Sequence, residues 1–236
     1  MHIQAVLFDL DGTLLPMGQD VFVNTYFGLL AKKLAPMGYE PKKLISTVWG
    51  GTKAMVENDG SMTNKDAFWN FFKGVYGDRG MQDMPHFDAF YANEFNMAQS
   101  SCGYTPKAAQ IIKQIKESGR RVVLATNPLF PTVATQARIR WAGLNFADFD
   151  LVTTYENSRW CKPDLGYYRE ILDKIGLQAE ECAMVGNDTS DDLPADKLGM
   201  QVFLLTDCLI NASGVDVNAW PHGGFDELSA WAKELP

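Results

Sequence analysis

Apolar positions change texture along this chain of 236 residues. Near the N-terminus, I-Q-A-V-L-F-D-L-D-G (residues 3–12) is mostly apolar up to a carboxylate and a Gly turn. A short apolar run bounded in this way reads as a buried strand of a parallel sheet. From residue 20 to about 99 no comparable strand run occurs. There Val21, Phe22, Tyr26, Leu29, Leu30 and Leu34 recur at helical spacing, which predicts a helix with Asp20 as its N-cap. Leu44, Ile45 and Val48 predict a shorter helix ending near Gly50-Gly51. Residues 66–75 put Phe68, Phe71, Phe72 and Val75 on one helical face. Residues 88–97 give another aromatic helix through Phe90, Tyr91 and Phe95. The Met and aromatic stripes read as the core of a small all-helical module.

From residue 104 strands and helices alternate. Thr105-Pro106 starts a helix with Pro at its first position. Ala108, Ile111, Ile112 and Ile115 form its buried stripe, and Gly119 ends it. Strands are expected at 121–126, 149–153, 182–186 and 201–205. Helices are expected at 131–141, from an Asp164 cap through Tyr167, Tyr168, Ile171, Leu172 and Ile175, at 193–198, and through Phe225, Leu228, Trp231 and Ala232. This order predicts an α/β fold, a Rossmann-like parallel sheet with helices on both faces.

The chemistry gathers at strand ends. Ligands of open α/β sheets bind beyond the carboxyl ends of the strands. Asp9 and Asp11 are i and i+2 of an extended segment, so both project into one crevice. Two acids that close repel unless a cation or a shared proton stands between them. Gly12 lets the backbone turn and approach a ligand closely. Thr126 and Asn127 end the next strand, Lys162 precedes the Asp164-capped helix, and M-V-G-N-D-T-S-D-D-L ends a third strand with Asp188, Asp191 and Asp192. Each has an ordinary explanation alone. A strand-ending Thr usually serves local backbone, a Lys before Pro is usually solvated, and acids suit a helix N-terminus.

Charge narrows the partners. The formal net charge is −8 with no Lys/Arg cluster, which argues against a nucleic-acid backbone or an anionic membrane. No apolar run approaches the ~20 residues that span a bilayer, and the first residues lack the features of a signal peptide. Cys102, Cys161, Cys182 and Cys208 are scattered, without a C-x-x-C pair, and read as reduced thiols of a cytoplasmic protein. His2, His86 and His222 show no metal-ligand spacing, which disfavours a zinc hydrolase.

The run F-D-L-D-G-T-L resembles the first motif of the haloacid dehalogenase-like (HAD) hydrolase superfamily, most of whose members are phosphatases. The strand ending in Thr126 resembles the second motif, Lys162 the third, and G-N-D-T-S-D-D the fourth. All four occur in family order over about residues 1–16 and 100–210. In the fourth, Asn187 stands where the first Asp often is, so the metal would pass to Asp188. The helical block lies between the first two motifs, the place of the family's C1-type cap. Only about 35 residues separate Thr126 from Lys162, filled by one helix and one strand at the usual rise, which leaves no room for the other cap type.

The resemblance implies an α/β core of residues 1–16 and 100–236 and an all-helical C1 cap of residues 17–99. It implies a Mg²⁺-dependent phosphatase acting on a small phosphorylated metabolite, a cytoplasmic monomer. Asp9 would be the nucleophile and Asp11 the acid and base. Thr126 would hold the phosphoryl group and Lys162 would balance its charge. Asp9, the Asp11 carbonyl and Asp188 would bind Mg²⁺, leaving the Asp11 side chain free for proton transfer. Asn187 would hydrogen-bond nearby, and Asp192, reaching in from the outer side, would hold a metal-bound water or Lys162. Asn127, Gly12 and Lys53 would touch substrate, Lys53 from a cap loop W-G-G-T-K. The alternatives are a phosphomutase of the β-phosphoglucomutase type, a haloacid dehalogenase, which needs no metal and lacks the second Asp, and a non-catalytic binding module.

Overall fold

Strand β1 (Ala5–Phe8) has all four residues buried and lies at the centre of the sheet. The structure is a computed structural model and describes residues 2–236. Strands β2 (Arg121–Leu124), β3 (Leu151–Val152), β4 (Cys182–Gly186), β5 (Gln201–Leu205) and β6 (His222–Gly223) complete a six-stranded sheet in the order β3-β2-β1-β4-β5-β6. Every pairing is parallel. Ala5 sits opposite both Arg121 and Cys182, so the order of strands reverses direction at β1.

Alternation along β1 explains its apolar run. Val6 and Phe8 enter one core, Ala5 and Leu7 the other. A sheet covered on both faces offers no polar side, so its strands read as continuous apolar runs. Helices α6 (Pro106–Glu117), α7 (Thr132–Trp141) and α9 (Phe225–Glu234) send buried residues into the first core. Helix α8 (Leu165–Ile175) covers the opposite face with Tyr167, Tyr168, Ile171 and Ile175. The N-caps of α6 and α8 are the expected ones: Thr105 accepts from the Lys107 N–H and Asp164 from the Gly166 N–H. Strand β6 was not anticipated, because its two residues carry no apolar run.

Between β1 and α6 the described secondary structure is helical: α1 (Gln19–Leu34), α2 (Pro41–Val56), α3 (Asn64–Tyr76), α4 (Asp78–Gln82), α5 (Met84–Ala92) and a 3-10 segment, Glu94–Ser101. The two chain crossings into this block lie side by side. The Gly103 N–H donates to the Pro16 carbonyl at 2.7 Å, and Met17 bridges Cys102.

Several expectations for this block need correction. Helix α1 is capped by Gly18, and Asp20 lies inside its first turn without a capping hydrogen bond. Val21 is exposed, and so are Phe71 and Val75; the buried face of α3 is Ala67, Phe68, Trp69 and Phe72. Helix α2 does not stop at Gly50-Gly51 but runs through them. A Cβ at Gly50 would stand 2.3 Å from the Phe71 ring, and one at Gly51 2.5 Å from Phe68. The glycines admit those rings between α2 and α3, and that packing outweighs their poor helix propensity. The aromatic segment 88–97 is broken at Asn93 (φ −119°, ψ −83°), where α5 ends and the 3-10 turn begins.

Candidate active site

The reversal of strand order at β1 opens a crevice at its carboxyl end. Asp9 follows β1 directly, anchored by its own N–H to the Val185 carbonyl at 2.9 Å. Lys162, in the loop before α8, is almost wholly buried and donates from Nζ to Asp9 Oδ1 at 2.9 Å and to Asp192 Oδ1 at 2.7 Å. Thr13 donates from Oγ1 to Asn187 Oδ1 at 2.9 Å and lies 3.3 Å from Asp9 Oδ2. Asn187 in turn donates from Nδ2 to the Cys208 carbonyl at 2.7 Å. The first and fourth motifs are thus tied together through side chains.

Two glycines make this closeness possible. Gly12 has φ +88°, and a Cβ there would stand 2.3 Å from Asn187 Nδ2. A Cβ at Gly186 would stand 2.0 Å from Asp192 Oδ2. Asp192 therefore folds back under the end of β4 and accepts from the Asp188 N–H at 3.0 Å. It was expected to reach in from the outer side, one helical turn on. The chain makes a tight turn there instead of a helix, and Asp192 is among the most buried acids of the chain.

Asp11 is not free. Its Oδ2 accepts from the Arg138 guanidinium, a residue sequence reasoning did not single out. Arg138 comes from α7, is 1% exposed, stacks over the Phe130 ring with 4.4 Å to the centroid, and lies 3.3 Å from Thr135 Oγ1. Asp11 Oδ1 and Arg138 Nε are both buried without a partner. A sequence signal existed. Ala134, Ala137, Arg138 and Trp141 follow 3-4 spacing, which puts an arginine on the helix's buried stripe.

Burial raises the Asp9 carboxyl well above its ordinary range. Lys162 pulls it down, and Asp192 and Asp11 push it up. Burial likewise raises Asp11 against the pull of Arg138 and Lys162. Burial opposes the charge of Lys162 as well, but Asp192 and Asp9 outweigh it and hold the ammonium well above its usual value.

A cavity of about 420 Å³ opens above these groups. Asp9, Asp11, Thr126, Asn127, Lys162 and Asp188 form its floor, and faces of α1, α2, α3 and α5 form its walls. The Thr126 carbonyl is pinned from below by Tyr167 (2.9 Å) and Thr153 (2.6 Å). Its hydroxyl has no hydrogen bond among the described residues, nor has the N–H of Asp11 or of Asn127. Asn127 donates from Nδ2 to Asp191 Oδ2 at 3.3 Å and leaves its side-chain oxygen Oδ1 buried and unpaired. Asp188 caps the following turn with Oδ1, accepting from the Ser190 N–H at 2.7 Å, and no hydrogen bond within the described residues uses its Oδ2.

Two expected contacts fall outside this cavity. The Gly12 N–H is used inside its own loop, donating to the Leu15 carbonyl at 2.8 Å. Gly12 lines a separate cavity with Thr13, Thr105 and Lys107. Lys53 stands on the solvent side of α2, 3.6 Å from Glu57, with its side chain 72% exposed. The W-G-G-T-K run is helix, so Trp49 and Thr52 face the cavity while Lys53 turns away.

The described residues include no helix long and apolar enough to cross a membrane and no cluster of three or more His, Cys, Asp or Glu side chains able to hold a metal by themselves. The chain resembles an L-2-haloacid dehalogenase that defluorinates its substrate at a TM-score of 0.60 and 16% identity, covering 98% of this chain and 95% of that one. It resembles a HAD phosphatase from Thermococcus onnurineus at 0.58 and 18%, with 97% of each chain covered. A HAD hydrolase from Bacillus subtilis, whose magnesium-bound structure reveals interdomain movement, matches at 0.57 and 16%, covering 98% and 99%. No curated protein sequence matches. The family model described as haloacid dehalogenase-like hydrolase matches residues 3–197, and the chain belongs to that family of hydrolases.

Proposed function

We propose that this hydrolase is a Mg²⁺-dependent phosphatase that cleaves a small phosphate monoester through an aspartyl-phosphate on Asp9. The observation that carries the reading is the asymmetry of the two adjacent acids. Asp9 is held by a lysine at the cavity floor, and Asp11, two residues beyond, keeps a second carboxylate beside it. An attacking carboxylate and a separate proton carrier are what displacement of an alcohol from phosphorus requires.

In this reading Asp9 attacks phosphorus and the P–O bond to the leaving alcohol breaks. Asp11 gives that alcohol its proton, then takes one from the water that hydrolyses the acyl phosphate. The carboxyl's raised pKa suits the donor role. Arg138 holds Asp11 toward α7 when the site is at rest and must share or release it for transfer. The Thr126 hydroxyl and the unused N–H groups of Asp11 and Asn127 receive the phosphoryl oxygens, preorganised donors that need no rearrangement. Lys162 offsets their charge and favours the ionised form of Asp9 against the pull of burial.

The residues fit a divalent cation. Six carboxylates line the cavity (Asp9, Asp11, Asp20, Asp188, Asp191, Asp192), with Lys162 the one cation among the described lining residues, and a phosphoryl dianion would worsen that imbalance. Asp9, the Asp11 carbonyl and Asp188 are the oxygens that would hold Mg²⁺, which takes one or two carboxylates and keeps waters. When bound, Mg²⁺ would neutralise charge on the transferring group. Residues 17–99 are the cap in this reading, residues 1–16 and 100–236 the core, and the two adjacent crossings are the hinge. The scattered thiols, all free, accord with a cytoplasmic site of action.

The test is release of phosphate from an aryl phosphate by purified protein with Mg²⁺. Turnover abolished by chelator and by Asp9→Asn supports the reading. No turnover across several divalent metals would favour a binding module on this fold.

A further inference from the structure

We infer that the leaving group of the substrate is apolar or aromatic and carries no anionic group. This rests on the phosphatase reading and assigns the substrate class that its cavity accepts.

The wall opposite Asp9 is built of rings. Phe22, Tyr26, Phe27, Trp49, Phe68 and Phe130 all face the cavity. They are packed into one another: Phe27 lies 5.4 Å from Trp49, and Tyr26 5.5 Å from Phe130, centroid to centroid. Such walls bury apolar area and present ring faces on which another ring can stack. A volume near 420 Å³ is at the small end of ligand cavities, enough for a phosphoryl group and a compact ring system.

The hydroxyls on that wall are already used, which leaves only the Gln19 amide and the Trp49 indole N–H without a partner among the described residues. The Tyr26 and Tyr91 hydroxyls bond to each other at 2.8 Å. Thr52 donates to the Val48 carbonyl at 3.0 Å within its own helix. A polyhydroxylated leaving group such as a sugar would trade its water for a surface that offers it few partners, which is costly.

Cations are absent where a second anion would need one. Among the described residues lining the cavity, Lys162 is the only cation, and it already serves Asp9 and Asp192. Arg138 lies beneath Phe130 and is held by Asp11. At the rim the charged residue is Asp20, exposed and of the wrong sign. A leaving group bearing a carboxylate or a second phosphate would enter an apolar, net-acidic space with nothing to pair with.

The experiment compares kcat/KM for 1-naphthyl phosphate, glucose 6-phosphate and 2-phosphoglycolate with Mg²⁺, with acetyl phosphate as a donor too small to reach the ring wall. The expected order puts naphthyl phosphate first by at least ~10-fold over the sugar and the carboxylate. Trp49 is half exposed, so Trp49→Ala keeps the fold; it should lower the ratio of kcat/KM for naphthyl phosphate to that for acetyl phosphate ~10-fold. Calorimetry with Asp9→Asn and the same esters gives a readout independent of turnover. Asp9-dependent hydrolysis of acetyl phosphate with phosphoglycolate or the sugar phosphate preferred would overturn the inference and leave the phosphatase reading standing. Naphthyl phosphate binding in preference to the others, without turnover of any ester by wild type, would support the cavity's preference and remove the phosphatase reading.

Discussion

Lys162→Met removes one ammonium from between two buried carboxylates. The side chain is 1% exposed, and its partners Asp9 and Asp192 are 11% and 1% exposed. Breaking a buried pair by deleting one partner costs about 3–5 kcal/mol, because the remaining charge is left uncompensated. Two acids remain here, facing each other. One of them will take a proton, which caps the cost near the lower end of that range. For a chain of this size each kcal/mol lowers Tm by about 2–4 °C, so ~3 kcal/mol predicts a fall of roughly 6–12 °C. Activity should fall by on the order of 10²-fold or more, as for loss of one preorganised charge contact. Most of that loss should appear in kcat, because a protonated Asp9 cannot attack.

Calorimetric melts and steady-state kinetics of three proteins separate the two effects. Lys162→Met/Asp192→Asn removes the cation together with one of its anions, so it should melt above Lys162→Met while remaining as inactive. The double variant melting no higher than the single one would refute the claim that uncompensated charge sets the cost. A change confined to KM would mean that Lys162 only helps to bind substrate.

Arg138→Met should leave Asp11 without its cation, lowering kcat by more than it raises KM and lowering Tm; unchanged kcat in steady-state assays would show that the pair is structural alone. Gly186→Ala places a Cβ 2.0 Å from Asp192 Oδ2, so it should destabilise the fold and lower activity together, whereas Gly119→Ala, where a Cβ meets nothing within 4 Å, should cost only the strain of its positive φ; denaturant melts compare the two. Asp188→Ala should raise the Mg²⁺ concentration needed for half-maximal activity far more than Asp192→Asn does, read by metal titration at fixed substrate.

What the sequence made legible is what local chemistry determines. Asp9 and Asp11 end an apolar run, Lys162 precedes a capped helix, and the acids of the fourth motif follow a Gly turn. Strand β4 and strand β5 match the expected 182–186 and 201–205, because a sheet buried on both faces leaves continuous apolar runs. The helical block was less legible. Gly50 and Gly51 read as a stop, yet rings from α3 occupy the space their missing side chains leave. Exposed Val21, Phe71 and Val75 rotated the expected faces, since an apolar residue on a helix need not point inward. Arg138 lies 127 positions from the acid it holds. No local rule connects them; only the placement of α7 against the end of β1 does.

The fold does not choose between the reactions of its neighbours. A dehalogenase and a phosphatase resemble this chain about equally, at TM-scores of 0.60 and 0.58, and function belongs to the site. The site's inventory of charge supports the phosphatase reading. Displacing a halide from carbon needs one carboxylate and no proton donor, since a halide leaves as a stable anion. An acidic set beyond that one nucleophile would repel a haloacid's own carboxylate. Displacing an alcohol from phosphorus needs a proton at the leaving oxygen, and Asp11 stands two residues from the nucleophile to supply it. A phosphoryl dianion among six carboxylates needs a divalent cation, and Asp188 offers an oxygen that no hydrogen bond occupies among the described residues. In the phosphatase reading Asp11 carries the proton, Asp188 meets the cation and Asp192 holds Lys162. The buried arginine on Asp11 accords with the same reading, in which the second acid beside the nucleophile is kept in place by a dedicated cation.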